Sequence, residues 1–371
     1  MTDSKKIIGL TGNIATGKSV VRRMLANTGA LGIDADIITH RTLYPGGSAY
    51  KPVIDTFSKG ILQSNGEISR SKLGEIVFND PNSLKKLEEL IHPAVTKAIR
   101  NRIRKTSLSI VVVEAIKLLE SSLIDLCNTI WVSHASETYQ MERLLQARQL
   151  SEDEAQRRID AQPPQSEKLS QADVVINTEG LFAGTWLQVQ NALNDTIQAS
   201  DVLDASHINI SENWKVQPAG TLPQTQLETF WKAQTGAPNT ELYEALAFHT
   251  MLLLLSKEEI KALILWENWN FTATLNRVIP ESGNLELTPI LLEAFQGYAQ
   301  MSQCELLILP EPFAKQVEYL LSERGFERQA ANAMPYPAWR QAMKRQTLDP
   351  VKPIWIKILA QPMESDDNRR V

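Results

Sequence analysis

A phosphate-binding loop follows a short apolar strand near the start of the sequence. Gly12, Gly17, Lys18 and Ser19 match G-x-x-x-x-G-K-[ST], and residues 6–10 before them are mostly β-branched or apolar. In this motif backbone N–H groups wrap the phosphates, the lysine reaches the outer phosphates and the serine hydroxyl is a ligand of Mg²⁺. The residues after the serine predict a helix, whose N-terminus attracts an anion. The sequence therefore predicts an ATP or GTP site.

The first half alternates strand-like and helical segments, which predicts an α/β fold of the P-loop NTPase type with a five-stranded parallel sheet. The run Ile110–Val113 is continuously apolar, as expected for a strand covered by helices on both faces. The five predicted strands are Lys6–Thr11, Ala30–Asp34, Ser109–Glu114, Thr129–Ser133 and Val174–Asn177. Functional groups are expected where these strands end.

Length and composition predict two domains and a protein of the cytoplasm. The chain has 371 residues, of which 43% are hydrophobic and 22% charged, an ordinary globular make-up. Cys127 and Cys304 lie far apart, which favours neither a disulfide framework nor a zinc site. We predict domains at 1–200 and 201–360, with a boundary near 196–204 and a charged tail over 361–371.

Charge and hydropathy exclude some partners. The net charge of −5 gives no overall attraction to nucleic acid or to an acidic membrane. Apolar runs such as Met251–Leu255 are too short to cross a bilayer. A basic cluster, Arg100, Arg102, Arg104 and Lys105, is expected on a solvated helix face, with phosphate binding as the alternative.

Two carboxylates follow the second predicted strand. Asp34 and Asp36 stand two residues apart, so in an extended chain both would point to the same side, towards the phosphate loop. Such a pair can orient an acceptor hydroxyl, take its proton or hold Mg²⁺ through water. The alternative is that one of the two only caps the helix that starts near Ile37.

A helical hairpin is predicted towards the end of the first half. Glu137–Ala147 reads as a helix, and Ser151 with Glu154 has the spacing of a capping box for the next one. The hairpin carries Arg143, Arg148, Arg157 and Arg158. It is expected to act as a lid that brings arginines over a transferring phosphate, although arginines on a solvated helix face are common.

From about Lys6 to Ala192 the chain resembles the dephospho-coenzyme A kinases. Besides the loop, the elements that carry the resemblance are Ile33–Asp36, Pro45-Gly46, Ile76–Pro81, Leu90–Pro93, Leu118–Glu120, Arg158–Gln162 and Ala172–Asn177. The resemblance implies transfer of the γ-phosphoryl group of ATP to the ribose 3′-hydroxyl of dephospho-coenzyme A, the last step of coenzyme A synthesis, with Mg²⁺.

The resemblance also implies roles for particular residues. Asp36 activates the acceptor, Asp34 supports it or the metal shell, Lys18 and Arg143 act on the phosphates, and Ser19 binds Mg²⁺. His92 and Lys117 are candidates for acceptor binding, although His92-Pro93 could equally be a structural helix end. The implied nucleotide-binding set is Gly12, Asn13, Ile14, Ala15, Thr16, Gly17, Lys18, Ser19, Val20 and, near the adenine, Asn177.

Several positions depart from the family pattern. Asn13 and Ala15 replace commoner glycines, and we expect Asn13 to tolerate left-handed backbone angles. Lys117 stands where many relatives have an apolar residue. Ala147 replaces a lid arginine, with Arg148 one place further on.

The second half is similar in its order of elements to the GCN5-related N-acetyltransferase fold, an α+β arrangement. The predicted helices are Thr225–Ala233, Glu241–Leu255, Thr288–Ala299 and Phe313–Arg324, and the predicted strands are Lys261–Trp266, Phe271–Ile279 and Glu305–Leu309. The acidic segment Glu281–Glu286 stands where that family binds phosphates, so we expect a module that packs on the kinase or binds a partner rather than a working acetyltransferase.

Two other functions stay open at this point. The chain could be a P-loop kinase of another small metabolite or nucleotide, or an ATP-binding regulatory module whose active site has lapsed. The sequence gives no oligomeric state.

Overall fold

The computed structural model describes residues 5–197, 208–280, 287–345, 353–360 and 362. We call residues 5–197 the first unit and the described residues from 208 onwards the second unit. The predicted acidic segment 281–286, most of the predicted boundary near 196–204 and most of the charged tail lie outside the described residues. No helix within these ranges is long and apolar enough to span a membrane.

The first unit is built on a five-stranded parallel sheet with the strand order β2-β3-β1-β4-β5. The strands are β1 (Lys6–Thr11), β2 (Leu31–Asp34), β3 (Ile110–Glu114), β4 (Thr129–His134) and β5 (Val174–Asn177). All five strands predicted from the sequence are confirmed. Every residue of β3 is buried, as expected for a strand covered on both faces.

Nine helices connect and cover these strands within the first unit. They are α1 (Lys18–Asn27), α2 (Ala35–Thr42), α3 (Tyr50–Phe57), α4 (Arg70–Asn79), α5 (Pro81–Lys105), α6 (Glu137–Arg148), α7 (Glu152–Asp160), α8 (Gln165–Leu169) and α9 (Phe182–Thr196). The long helix α5 begins where Asp80 accepts hydrogen bonds from the N–H groups of Asn82 and Ser83, which satisfies two unpaired donors of the first turn.

The predicted lid hairpin is present as α6 and α7. Ser151 caps α7 by accepting a hydrogen bond from the N–H of Glu154, as the capping box requires. The carboxylate of Glu154 instead accepts from Arg157 and Arg158, so the reciprocal half of the box is replaced by surface ion pairs.

The second unit is built on an eight-stranded mixed sheet with the order β12-β13-β11-β10-β9-β8-β7-β6. Its strands are β6 (Ile208–Ser211), β7 (Trp214–Pro218), β8 (Thr250–Ser256), β9 (Glu259–Trp269), β10 (Thr272–Ile279), β11 (Leu306–Leu309), β12 (Glu327–Ala330) and β13 (Pro353–Ile358). Its helices are α10 (Gln224–Thr235), α11 (Asn239–Phe248), α12 (Thr288–Met301), α13 (Glu311–Leu321) and α14 (Pro337–Arg345). Among these strand pairs only β10 with β11 is parallel.

The predicted helix over Glu241–Leu255 is wrong in its second half. Helix α11 ends at Phe248, and the chain continues as strand β8. The run Met251–Leu255 is almost completely buried, and a short apolar run buried on all sides has no periodicity that separates a strand from a helix.

The two units share one hydrophobic cluster. Helix α11 packs against both α1 and α9. Trp231 and Leu246 of the second unit belong to the same buried cluster as Leu25 and Trp186 of the first. The second unit is therefore joined to the first through core packing as well as through the chain.

Only part of the basic cluster on α5 is exposed to solvent. Arg100, Arg104 and Lys105 are exposed, but Arg102 is 5% exposed and its guanidinium lies 3.6 Å from the carboxylate of Glu305 in the second unit. Burial lowers the pKa of Arg102 to about 9, and the charge of Glu305 partly opposes this shift.

Candidate active site

The phosphate loop connects β1 to α1 at the carboxyl edge of the sheet. Gly12 has a φ of +146°, and a Cβ there would lie 2.6 Å from the carbonyl oxygen of Ser133. Gly17 has a φ of +84°, so both positions favour glycine. Nζ of Lys18 donates to the carbonyl oxygens of Gly12 and Asn13 at 3.0 and 2.9 Å. The lysine is therefore held over the loop, as the motif predicts.

Ala15 carries the left-handed backbone conformation in this loop. Its φ is +58°, and Asn13 is not among the residues with positive φ. The tolerance of Asn13 for a left-handed angle is therefore not used here, because the turn places that angle two residues later. Ala15 is held there by a hydrogen bond from Arg143 Nη1 to its carbonyl oxygen at 3.0 Å.

Replacing Ala15 with glycine is expected to stabilise the protein by about 0.5–1 kcal/mol. The left-handed conformation costs a residue with a Cβ about 1–2 kcal/mol. Glycine avoids this cost, but it loses more backbone freedom on folding, which offsets part of the stabilisation. The control is Ala26→Gly in the last turn of α1, which is expected to destabilise the protein by up to about 1 kcal/mol. Urea unfolding monitored by circular dichroism measures both, and a lower midpoint for Ala15→Gly would contradict the assignment of strain.

Ser19 and Glu114 form a polar network with Arg22 beside the loop. The hydroxyl of Ser19 donates to Glu114 Oε1 at 3.0 Å, and Arg22 Nε donates to the other oxygen of Glu114. Arg22 also lies 3.5 Å from the carboxylate of Asp34. Burial would lower the pKa of Arg22, but the two carboxylates outweigh burial and hold it above its usual value. The network fixes the serine hydroxyl between the loop and the end of β3.

Asp34 is the residue of the pair that caps helix α2. It accepts a hydrogen bond from the N–H of Ile37 at 3.0 Å, so Asp34 caps the helix, although its carboxylate also lies beside Arg22. The chain enters α2 at Ala35. The extended geometry expected for residues 34–36 is therefore wrong, because the second carboxylate already belongs to the first helical turn.

Asp36 lies in the first turn of α2, and its side chain is free of the capping role. Asp36 is exposed at the surface, but partial loss of solvation next to the loop raises its pKa to about 6, the negative charges of Asp34 and Glu114 add to this, and the charge of Lys18 opposes it. The influence of Lys18 places Asp36 within electrostatic reach of the phosphate loop. A carboxylate with a pKa close to neutral is suited to accept a proton.

Arg143 is the lid arginine that reaches the phosphate loop. Besides Ala15, it donates to the hydroxyl and carbonyl oxygens of Thr178 at 3.0 and 2.6 Å. Thr178 in turn donates to the carbonyl oxygen of Thr16. Arg157 and Arg158 instead pair with Glu154 at the surface, so the structure does not bring them to the loop. The side chain of Arg148 is not among those that the structure describes.

The end of the lid also contacts the loop. Gln162 accepts a hydrogen bond from the N–H of Ile14, and Asn13 donates to the carbonyl oxygen of Pro163. Ile14 and Ala15 pack against the small apolar cluster of the lid. The lid is therefore closed on one end of the phosphate loop.

Three other predicted site residues lie further out. Asn177 ends β5, and its side chain accepts from the N–H of Glu179 in a local turn. His92 is exposed on α5, and Lys117 pairs at the surface with Glu88 at 3.3 Å. Pro93 lies inside α5, so the alternative of a His-Pro helix end is wrong.

Sequence reasoning missed Glu114, Thr178 and Gln162. The sequence does contain a pattern that indicates Glu114, because it is an acidic residue at the end of a buried apolar strand next to β1. Thr178 and Gln162 act through contacts with residues more than a hundred positions away, which no local pattern indicates.

These features define a P-loop protein with a helical lid that carries Arg143 and with a carboxylate, Asp36, in the helix that follows the second strand. Residues 6–183 match the family model for dephospho-CoA kinase. The dephospho-CoA kinase of Carboxydothermus hydrogenoformans is 45% identical over 190 residues, which are 50% of this chain and 92% of that protein. That of Geobacillus kaustophilus is 41% identical over 47% of this chain and 88% of that protein. The chain belongs to the dephospho-CoA kinase family.

Solved structures are similar to each half. TT1252 from Thermus thermophilus is 26% identical and covers 53% of this chain and 99% of its own, with a TM-score of 0.47. A GNAT family acetyltransferase from Elizabethkingia anophelis, with acetyl-CoA bound, is 16% identical and covers 40% of this chain and all of its own, with a TM-score of 0.26.

Proposed function

We propose that this chain transfers the γ-phosphoryl group of ATP to the ribose 3′-hydroxyl of dephospho-coenzyme A, the final step of coenzyme A synthesis. The observation that carries the proposal is the position of Asp36. It stands in the first turn of α2, within electrostatic reach of Lys18, with a pKa raised to about 6. An acceptor hydroxyl between Asp36 and Lys18 would have a proton acceptor on one side and the ATP phosphates on the other.

The phosphate loop and the lid supply the charge stabilisation. Residues 12–20 form the phosphate site, with backbone N–H groups of the loop on the phosphates and Lys18 on the outer ones. Arg143 lies against the loop through Ala15 and Thr178, where its charge acts on the transferring group. Asn177 follows the last strand, and we assign it to the adenine side of the site. Asp34 positions α2 by capping it.

The oxygen ligands beside the loop fit Mg²⁺. Ser19 and Glu114 are hydrogen-bonded to each other, and Mg²⁺ prefers oxygen ligands and is usually held by one or two side chains together with substrate phosphates. Within the described residues there is no cluster of three or more His, Cys, Asp or Glu side chains that could form a complete protein cage. When bound, the ion would neutralise charge on the phosphates, with Ser19 as its ligand.

The acceptor is expected to lie against the middle and the C-terminal half of α5. An open depression of about 550 Å³ there is lined by His92, Thr96, Lys97 and Arg100 among others. Dephospho-coenzyme A carries a diphosphate, and basic side chains suit such a group. Lys117 would have to break its ion pair with Glu88 to contact the acceptor.

The pH dependence of kcat/KM for the acceptor is expected to show an acidic limb near pH 6. Asp36 accepts a proton only when ionised, so the rate should fall about tenfold per pH unit below its pKa. The contribution of Asp36 to the free energy of unfolding changes in the opposite direction with pH. The folded state binds the proton of Asp36 more tightly than the unfolded state, so Asp36 favours folding at low pH. This stabilisation is lost as pH rises from about 4 to about 6. Stopped assays from pH 5 to 9 test the limb. A flat profile down to pH 5 would contradict the role of Asp36.

A coupled ADP-release assay with a panel of acceptors tests the function. Turnover with Mg·ATP that depends on dephospho-coenzyme A, and not on nucleosides or other small alcohols, supports the proposal. Turnover with another acceptor would indicate a kinase of a different metabolite. ATP binding by the folded protein without any acceptor-dependent turnover would indicate a lapsed site.

We assign the kinase to residues 1–200, in the cytoplasm, and an accessory module to residues 201–360, followed by the charged tail. The packing of the second unit against α1 and α9 supports a module that acts on the kinase. We propose neither acetyl transfer nor binding to nucleic acid or membranes.

A further inference from the structure

The second unit contacts the last turn of helix α2 through a buried ion pair. Arg41 is 2% exposed, and its Nη2 donates to both carboxylate oxygens of Glu305 at 2.8 and 2.7 Å. Its Nη1 donates to the carbonyl and side-chain oxygens of Asn270. One planar guanidinium therefore bonds two residues of the second unit at once, and its hydrogen bonds to the carboxylate are charge-assisted. The C-terminal end of α2 is therefore fixed to the second unit.

The turn between β9 and β10 inserts into the first unit at the same point. Phe271 belongs to the hydrophobic cluster of the first unit, and the guanidinium groups of Arg41 and Arg102 lie 4.7 and 3.3 Å from the centre of its ring. Asn270 and Phe271 have φ values of +50° and +61°. These angles are those of a two-residue hairpin turn, which needs positive φ at both central residues. The turn therefore presents Phe271 to the first unit.

The second unit also contacts the last residue of helix α1. Asn27 is completely buried, and its Nδ2 donates to the carbonyl oxygens of Leu246 and His249, both at 2.9 Å. Its Oδ1 accepts from the N–H of Met251 at 2.6 Å. The side-chain amide of Asn27 thus forms hydrogen bonds with the segment that connects α11 to β8. The C-terminal end of α1 is therefore also fixed to the second unit.

The opposite ends of these two helices carry the site. Lys18 and Ser19 begin α1, and Asp36 lies in the first turn of α2. At about 1.5 Å per residue, the helices are only about 15 and 12 Å long. A short helix moves nearly as a rigid body, so a shift at Asn27 or Arg41 is carried to the site.

We propose that the second unit fixes the position of α2 relative to α1, with Glu305 acting through Arg41 as a positioning residue for Asp36. This inference rests on the proposed role of Asp36 in phosphoryl transfer. A proton acceptor has to lie within hydrogen-bond reach of the hydroxyl, and a misplacement of about 1 Å can cost about a hundredfold in rate. The phosphate loop is held separately, through Asn27, so ATP binding should not depend on Glu305.

Two conservative substitutions test the inference in the full chain. Glu305→Asp keeps the charge but shortens the side chain by one methylene. Arg41→Lys keeps the charge but cannot bond Glu305 and Asn270 at the same time through one planar group, and it leaves Glu305 close to Arg102. Both are expected to lower kcat about tenfold or more, with KM for ATP within twofold of the unchanged protein. Rates are normalised to the folded fraction from circular dichroism, because a purely structural role would lower that fraction without changing kcat per folded molecule.

The matched control is Arg340→Lys. Arg340 also forms an ion pair between the two units, with Glu67 at 2.9 Å, but Glu67 precedes α4 and is remote in sequence from both site helices. This variant is expected to keep kcat within twofold. If kcat for both Glu305→Asp and Arg41→Lys stays within twofold per folded molecule while Asp36→Asn is inactive, the inference fails and the proposed function stands. If Asp36→Asn keeps full activity, the proposed function itself fails. Should Glu305→Asp not fold, Arg41→Lys decides the test.

Discussion

Replacing Asp36 with asparagine is expected to lower kcat by about 10²–10⁴-fold, the range for loss of a positioned proton acceptor. Asparagine has nearly the same shape but cannot take the proton of the acceptor hydroxyl. Asp34 cannot substitute for it, because its carboxylate caps α2 at Ile37 and lies beside Arg22. The substitution also removes a carboxylate whose pKa is raised by its surroundings, so no loss of stability is expected.

The measurement compares steady-state kinetics of Asp36→Asn and Asp55→Asn. Asp55 is an exposed residue of α3 whose carboxylate pairs only locally, with Lys51 among the contacts described. It should keep full activity. KM for ATP should change little in Asp36→Asn, since the phosphate loop is intact. If Asp36→Asn retains more than about a tenth of the rate, Asp36 is not the proton acceptor.

Truncation of the chain after residue 197 is expected to destabilise the kinase severely. Helix α11 covers α1 and α9, and Leu246 and Trp231 share a buried cluster with Leu25 and Trp186. Uncovering even two large apolar side chains costs about 3–6 kcal/mol at about 1.5–3 kcal/mol each, against a total stability of about 5–15 kcal/mol. The melting temperature should fall by about 10 °C or more, and the uncovered face favours aggregation.

The relatives make this result informative. The match to the Carboxydothermus hydrogenoformans enzyme takes in nearly all of that protein but only about half of this chain, so the match contains no counterpart of the other half. A control that lacks only the residues after 362 should melt like the full chain. A soluble, monomeric 1–197 fragment with an unchanged melting temperature would show that the kinase does not depend on the second unit.

The elements that sequence analysis predicted well are those fixed by local patterns. The phosphate loop and all five strands of the first sheet are confirmed, because a parallel sheet covered on both faces needs apolar runs bounded by turns. The second half was harder: strands β6, β7, β12 and β13 were not predicted, and β8 was assigned to a helix because the buried run 251–255 has no periodicity.

Side-chain roles that depend on distant partners could not be predicted. Arg102 belongs to a basic cluster in sequence, yet it is buried because Glu305 of the second unit lies beside it. Asp34 and Asp36 were expected to act as an extended pair, and the helix that begins at Ala35 separates their roles. Ala15 in the left-handed region could not be predicted, because alanine is rarely found there.

The most direct test of the account is to identify the product. The full chain is incubated with Mg·ATP and dephospho-coenzyme A, and the products are analysed by mass spectrometry and phosphorus NMR. We expect one molecule of ADP for each molecule of coenzyme A, with the new phosphate on the ribose 3′-oxygen. Folded protein that binds ATP but leaves dephospho-coenzyme A unchanged, or places the phosphate on another oxygen, would contradict it.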